Sequence, residues 1–325
     1  MANFTSFYPS MFILVGIPGL EIVPNWISIM FCSFYIMALF GNLILILVIP
    51  LSSSLHSPMY SFLFLLAAND TLLSNCIVPK MLSILWFNLK LISFNGCLLQ
   101  MFFVHCFTST ESGLLLTMAF DRYLAICKPL RYTMIMTNTL IMKMVIILLA
   151  RATILIAPTL ILIKLFPAFK TNVIAHSYCE HMAVVKLAAA DIRVNSVLGL
   201  IVAFTILGVD VLLVLLSYSI IFHAVCNIPS KTACLKAFNT CTPHICVFLS
   251  FYALAFFSFL SHRYGKNIPS YVHIILSDMY LLVPPMLNPI IYGIKTKRIR
   301  DQVWSVVYSQ KPISQFSPSQ IEIHF

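Results

Sequence analysis

Two carboxylates stand inside long apolar stretches of this sequence. Asp70 lies in the stretch Pro58–Phe87, and Glu111 lies in the stretch Cys97–Ala125. Asp70 is roughly 18 Å along a helix from Pro58, and Glu111 is roughly 16 Å from Arg122, at 1.5 Å per residue. Carboxyls at such a depth must be protonated, paired or bound to a cation. The pattern favours a sodium or proton site, and the alternative is two protonated acids that bond to Ser and Asn neighbours.

A third acid is adjacent to a base. Asp121-Arg122-Tyr123 ends an apolar run of helical length, and Lys128 and Arg131 follow it. One interpretation is a latch, in which Asp121 holds Arg122 while a helix bundle is closed and releases it when the bundle opens. The other is a stop signal that keeps this helix end on the cytoplasmic side.

The elements that must position these groups are membrane helices. The 325 residues are 60% apolar and 9% charged, whereas soluble domains carry about 25% charged residues. Seven continuous apolar stretches reach the roughly 20 residues that a membrane helix needs, and they lack the alternation of barrel strands. These stretches, called spans one to seven, are about Trp26–Ile49, Pro58–Phe87, Cys97–Ala125, Leu140–Ile163, Asn195–Cys226, Ala233–Leu260 and Tyr271–Ile294. We therefore expect an all-α membrane protein, with a seven-transmembrane helix bundle over residues 25–294.

The ends of the chain are assigned to opposite sides of the membrane. Residues 1–24 are expected to be an extracellular tail, because Asn3 begins an Asn-x-Thr glycosylation acceptor, and basic residues are slightly more numerous on the other side. Residues 295–308 read as an amphipathic helix on the inner surface, with Ile299 towards lipid. Residues 309–325 read as a disordered cytoplasmic tail. The net charge of +10 then reflects loops at the bilayer surface rather than nucleic-acid binding.

Two of the ten cysteines lie outside the apolar interior of the spans. Cys97 begins span three on the outer side, and Cys179 lies in the long outer loop Lys164–Arg193, which we call the lid. Both face an oxidising compartment, so a disulfide between them is predicted. The alternative is a metal site at His176, Cys179 and His181, which requires Cys179 as a free thiolate.

Other polar residues also lie within the spans. His105, in the outer half of span three, either borders a cavity or is a hydrogen-bonded packing residue. Asp210 places another costly acid in span five. In span seven, Pro284 and Pro285 must kink the helix, and Asn288 can bond the carbonyls that the kink frees.

The motifs together resemble odorant receptors, a branch of the rhodopsin-like G-protein-coupled receptors. They are Pro58-Met59-Tyr60, MAFDRYLAICKPLRY from Met118 to Tyr132, Ser217-Tyr218, KAFNTCTPH at Lys236–His244 and PMLNPIIYG at Pro285–Gly293. The lid string HSYCEHMAVVKLA and His262-Arg263-Tyr264-Gly265 resemble the class I, fish-like branch.

The resemblance implies a ligand-gated switch without catalysis. A carboxylic acid or other hydrophilic odorant would bind an outer cavity, and an olfactory stimulatory G protein would raise cyclic AMP. The location implied is the plasma membrane of olfactory cilia, with the N-terminus outside and no cofactor except a sodium ion at Asp70 and Glu111. The arginine matching Arg263 pairs with a ligand carboxylate. The residues that match the rest of the pocket are His105, Met182, Gly199, Ala203, Tyr252 and Phe259. The residues that match the activation switch are Asp121, Arg122, Tyr123, Tyr218, Asn288, Pro289 and Tyr292.

Two features qualify the resemblance. Phe169 and Ala189 stand where the family usually carries a second pair of outer-loop cysteines, so we expect a lid held by one disulfide and more mobile. Asp278, in the outer half of span seven, is expected to pair with Arg263 in the empty receptor and to be displaced by a ligand carboxylate.

A membrane carrier is the alternative class of function. An ion- or proton-coupled carrier could use Asp70, Glu111, Asp210 and Asp278, but carriers usually show internal repeats and paired broken helices, and neither is evident here. An enzyme is disfavoured, because intramembrane proteolysis or metal hydrolysis needs clustered acids or His ligands at one depth, and the sequence has no H-E-x-x-H motif.

Overall fold

The structure is a computed structural model that describes residues 7–18, 25–227, 230–264 and 268–308, without the side chains of residues 25, 53, 233, 236, 261–264 and 306–308. The helices of this part are α1 (Asn25–Leu51), α2 (Pro58–Phe87), α3 (Phe94–Cys127), α4 (Pro129–Ile135), α5 (Asn138–Lys164), α6 (His181–Val185), α7 (Arg193–Phe204), α8 (Asp210–Cys226), α9 (Lys231–Tyr264), α10 (Ser270–Lys295) and α11 (Lys297–Tyr308). A π-helical segment, Thr205–Val209, joins α7 to α8 into one continuous helix. Asn3 and residues 309–325 lie outside the described residues.

The predicted bundle is confirmed, with α1, α2, α3, α5, α7–α8, α9 and α10 as its seven members in the described chain. Six of them are long and apolar enough to cross a membrane. The other is α3, which carries Glu111, Asp121 and Arg122. It packs against α2, α5, α8 and α9, so these charged groups lie within the protein rather than against lipid.

Local sequence signals fix several helix ends. Pro58 occupies the first turn of α2, where its missing N–H has no intrahelical partner to lose. Asn88 ends the same helix in the left-handed conformation, with φ of 55°. The Ser93 hydroxyl accepts a hydrogen bond from the Gly96 N–H at 3.1 Å and caps α3. These ends set the level at which the outer loops begin.

A small sheet on the outer side was not predicted. Its strands are β1 (Met11–Leu14), β2 (Leu91–Ser93) and β3 (Val173–Ile174), with β1 in the middle, antiparallel to β2 and parallel to β3. Each strand has four residues or fewer and finds its partners far away in the chain, so no local periodicity marks it. The tail predicted for residues 1–24 therefore includes a strand that joins the first outer loop to the lid.

The lid is held by one disulfide and by aromatic packing. The predicted Cys97–Cys179 disulfide is confirmed, and the alternative metal site therefore loses its thiolate. Phe169 is fully buried. Its ring centroid lies 5.8 Å from that of Phe12 and 5.9 Å from that of Phe94. The side chain that replaces a family cysteine thus anchors the lid without a covalent bond.

The inner-surface helix departs from its prediction in one respect. Ile299 was expected to face lipid, but it is fully buried in the same core cluster as Tyr292. The reason is that α11 packs against α1 and α10, so part of its apolar face covers protein. Trp304 remains 54% exposed.

Candidate functional site

A cavity of about 420 Å³ lies in the outer half of the bundle, beneath the lid. Its walls come from α3, α5, α6, α7, α9 and α10. Five predicted pocket residues border it, namely His105, Met182, Gly199, Ala203 and Phe259. This volume falls in the range of roughly 300–1,000 Å³ that is usual for small-molecule sites.

Two other predicted pocket residues, Tyr252 and Asp278, do not border the cavity in the described structure. The Tyr252 hydroxyl lies 2.6 Å from the Ser112 hydroxyl. Arg263 is in the last turn of α9, but its side chain is outside the described residues. Asp278 is fully buried and accepts a hydrogen bond from the Ser177 hydroxyl at 2.5 Å. Its pairing with Arg263 stays a prediction.

The lid is bonded to span seven at two adjacent points. Besides the bond between Ser177 and Asp278, the Tyr178 and Ser277 hydroxyls are 2.7 Å apart. Burial raises the pKa of Tyr178 well above its ordinary value, so its phenol stays neutral. A ligand that moves span seven therefore acts on the lid as well, and the reverse also holds.

An ion pair between the partly buried Arg151 and the buried Asp210 joins spans four and five. The Arg151 guanidinium donates from two nitrogens to the two carboxylate oxygens of Asp210, each at 2.8 Å. The Ser112 hydroxyl lies 2.6 Å from Asp210 and 2.6 Å from the Tyr252 hydroxyl. Because Ser112 belongs to α3 and Tyr252 to α9, four spans meet here, and each of these spans also contributes residues to the cavity wall.

Sequence reasoning missed this network in part. It noted Asp210 as a costly acid but assigned no role to Arg151. The available signal was a base inside span four and an acid inside span five, which adjacent helices can pair. The π-helical segment ends directly before Asp210, and its wider turn changes the direction in which the following side chains project. Asp210 consequently points into the bundle towards Arg151.

The two mid-membrane acids are brought together, as predicted. The Asn288 amide donates a hydrogen bond to Asp70 at 2.8 Å and also bonds Glu111. Among the buried oxygens of the described residues that have no hydrogen-bond partner, four belong to Asp70, Ser74, Glu111 and Asn288. No group of three or more His, Cys, Asp or Glu side chains suited to a metal occurs in the described chain. Unpartnered hard oxygens with two carboxyls nevertheless fit a monovalent cation or a proton.

The latch at the inner end of α3 has the predicted pair and one further member. The guanidinium of Arg122 donates to Asp121 at 2.5 Å and 3.1 Å. The Tyr132 hydroxyl in α4 donates to the other oxygen of Asp121 at 2.7 Å. Burial and the bond to Asp121 raise the pKa of Tyr132, so it remains a donor. A stop signal alone does not require this second bond, which favours the latch interpretation.

Three more of the predicted switch residues, Tyr123, Tyr218 and Tyr292, lie towards the same end of the bundle as this latch, whereas Asn288 lies at the mid-membrane acids. Tyr123 and Tyr218 pack around an inner apolar cluster that includes Cys241. The Tyr292 hydroxyl lies 3.1 Å from Nδ1 of His244, both buried, and links span seven to span six.

Close contact between spans one and seven depends on glycine and asparagine. A Cβ atom on Gly41 would lie 2.6 Å from Cγ of Pro289, so only glycine fits there. The carbonyl of Pro285 is bonded by the Asn42 amide at 2.8 Å, and not by Asn288 as predicted, because the Asn288 amide donates to Asp70 instead.

Comparison with known proteins gives a consistent picture. A family model described as "Olfactory receptor" matches residues 31–311. The human protein named Olfactory receptor 52A5 is 54% identical over 310 residues, which cover 95% of this chain and 98% of the relative. Human Olfactory receptor 52A1 is 53% identical, with 93% and 97% covered. Human Olfactory receptor 52N4 is 48% identical, with 97% and 98% covered.

Proposed function

The chain belongs to the olfactory receptor family, and on that premise we propose that its ligand is a carboxylic acid or another small hydrophilic odorant. As a family member it is an odorant receptor of the plasma membrane that acts through a heterotrimeric G protein, and it is not an enzyme. The proposal concerns the ligand class, the binding site and the signal.

The observation that carries the proposal is the cavity itself. Residues that match the family's ligand pocket border one cavity beneath the lid, and Arg263 lies in the last turn of α9. A guanidinium binds a carboxylate with two parallel hydrogen bonds. Lys186 also borders the cavity and is a second candidate for the cationic partner of the ligand.

The signal passes from the cavity to the inner face through span six. Ligand contact with α9 shifts this helix relative to α3, and the bond between Ser112 and Tyr252 lies directly in that path. Asp121 then releases Arg122, and an inner cavity admits a helix of the G-protein α-subunit. We assign the partner to the olfactory stimulatory type, which raises cyclic AMP, and place the receptor in cilia with its N-terminus outside.

A sodium ion belongs to the same proposal. Asp70 and Glu111 would hold it with the Ser74 hydroxyl and the Asn288 carbonyl, whose oxygens lack partners in the described structure. The ion would supply positive charge that lets both carboxyls remain ionised. The carrier alternative loses its basis, because the four acids it needs are divided among separate partners, with Asp210 bound to Arg151 and Asp278 to Ser177.

The test is cyclic AMP in cells that express the receptor with an olfactory G-protein α-subunit. The panel contains straight-chain acids with the matching alcohols and methyl esters, applied to the parent, Arg263→Ala and Lys186→Ala. Arg193→Ala is the matched control, because its side chain is 89% exposed. Acid-selective responses that vanish in Arg263→Ala, at equal surface amounts, support the proposal. Acid responses that survive in that variant and vanish in Lys186→Ala would move the anchor, and equal responses to acids and esters would refute the ligand class.

A further inference from the structure

The lid presents one histidine to the cavity in a fixed orientation. His181 begins α6, is only 7% exposed and borders the cavity. Its Nε2 atom lies 2.7 Å from the Oδ1 atom of Asn195 in α7. The Glu180 carboxylate accepts a hydrogen bond from the Ala183 N–H at 2.6 Å and caps α6, so the backbone that carries the ring is also held.

The neighbours of Asn195 determine which nitrogen of His181 carries the proton. The Nδ2 atom of Asn195 is 3.2 Å from the backbone carbonyl oxygen of Thr159. A carbonyl can only accept, so the amide nitrogen must face Thr159 and the amide oxygen must face His181. That oxygen cannot donate, so His181 donates from Nε2. In the neutral ring Nδ1 is then an acceptor with a free lone pair.

The free edge of the ring lies against the cavity wall at Gly199. A Cβ atom on Gly199 would be 2.8 Å from Cε1 of His181 and 3.1 Å from Nδ1. Any larger residue at position 199 would therefore push the His181 ring out of its present position, and only glycine lets the ring lie there. Within the described residues Nδ1 has no hydrogen-bond partner. The His105 ring, which also borders the cavity, is 6.4 Å away edge-on.

We propose that Nδ1 of His181 is a second recognition point of the cavity, which accepts a hydrogen bond from a hydroxyl group of the ligand. The preferred ligand class is then a hydroxylated one, such as a hydroxy acid. Asn195 is the positioning residue that fixes the ring tautomer in which Nδ1 is the acceptor. The inference rests on the proposed function in that the odorant occupies this cavity, but it does not depend on the carboxylate.

The recognition point makes a specific chemical distinction. A hydroxyl donates to Nδ1, whereas the corresponding methyl ether brings only lone pairs towards the lone pair of Nδ1. An unmatched polar contact in a desolvated pocket weakens binding, so the hydroxyl compound should be favoured at least about tenfold.

The experiment uses matched pairs of hydroxy and methoxy compounds of equal chain length. One series carries a carboxyl group, and the other carries none. Two readouts are taken: cyclic AMP in cells with an olfactory G-protein α-subunit, and thermal stabilisation of the purified full-length receptor in lipid nanodiscs, which also detects ligands that do not activate.

The quantity that decides is the ratio of hydroxy to methoxy potency. We expect a ratio of about ten or more in the parent, collapsing to near one in His181→Phe and in Asn195→Leu. Asn172→Leu is the matched control, because Asn172 lies in the exposed part of the lid and bonds the carbonyl of Met11, and it should keep the parental ratio. General damage to the fold lowers both potencies and leaves the ratio unchanged.

The outcomes separate this inference from the proposed function. A parental ratio near one in both readouts overturns the role of His181, even if the acids activate through Arg263. A high ratio in the series without carboxyl groups supports His181, even if the acids fail. If His181→Phe does not reach the cell surface, Asn195→Leu decides, and a parental ratio in that variant would overturn the positioning role.

Discussion

Replacing Arg151 with methionine should destabilise the receptor severely, and a second substitution should restore much of the loss. In the parent, Asp210 is almost completely buried and bonds Arg151 through both carboxylate oxygens. Arg151→Met leaves that carboxylate with the Ser112 hydroxyl as its remaining hydrogen-bond donor among the described residues. Asp210→Leu leaves the guanidinium with the carbonyl of Ser109, 3.1 Å away.

The magnitude follows from the burial of the pair. Removing one partner of a buried ion pair costs about 3–5 kcal/mol, because the remaining charge lies away from water without compensation. Replacing both partners by apolar residues of similar volume is often neutral or stabilising. In the double variant the Ser112 hydroxyl loses Asp210 as an acceptor, which costs on the order of 1 kcal/mol. We therefore expect Arg151→Met/Asp210→Leu to be more stable than either single variant.

The assay is the melting temperature of the purified receptor in nanodiscs, with cell-surface staining alongside. The matched control is Arg193→Met/Asp191→Leu with its single variants, since this pair is exposed and its atoms are 3.8 Å apart. An exposed pair contributes about 0–1 kcal/mol, so all three control variants should resemble the parent. If the double variant at positions 151 and 210 loses as much stability as the two single variants together, the two residues do not stabilise spans four and five as an ion pair.

Three further predictions concern the latch, the lid and the acid pair. Tyr132→Phe removes a hydrogen bond to Asp121, worth about 1.5–3 kcal/mol when the acceptor is charged, and should raise basal cyclic AMP at equal surface expression. Phe169→Ala deletes a fully buried ring and should lower the free energy of unfolding by about 3–5 kcal/mol, seen as a lower melting temperature with the disulfide intact. Glu111→Gln removes a carboxylate beside Asp70 and should abolish any difference in ligand potency between sodium and a bulky organic cation.

For each of these three predictions, one result would contradict the reasoning. Unchanged basal activity in Tyr132→Phe would mean that the bond to Asp121 persists in the active state. The control for Phe169→Ala is Phe87→Ala, whose ring is 68% exposed, and equal effects of the two would contradict the role of the aromatic packing. A sodium effect that survives in Glu111→Gln would remove Glu111 from the ion site.

The features that the sequence predicted have strong local signals. Seven apolar stretches identify seven helices because each must satisfy its backbone within the membrane. The depth of Asp70 and Glu111 follows from helix rise alone, so the sequence could place both acids at one level, but it did not predict that both would bond Asn288. Cys97 and Cys179 were separated from the other cysteines by their position on the outer side.

What could not be predicted depends on helix rotation and on contacts between distant segments. Arg151 and Asp210 were visible as charges, but whether they face each other is set by the rotation of span five, which a π-helical segment without a proline or other marked signal changes. Tyr132 reaches Asp121 only because α4 folds back beneath α3, and the spacing of the two residues does not specify that fold. His181 was considered only as a metal ligand or as part of the lid, since its partner Asn195 is fourteen residues away on another element. In each case the charge or hydrogen-bonding group is evident in the sequence and its partner is not, because the partner is determined by how whole helices pack. Direct tests of the function should therefore begin with the partners Arg151, Tyr132 and Asn195, of which only Tyr132 belongs to a motif that carries the resemblance to the family.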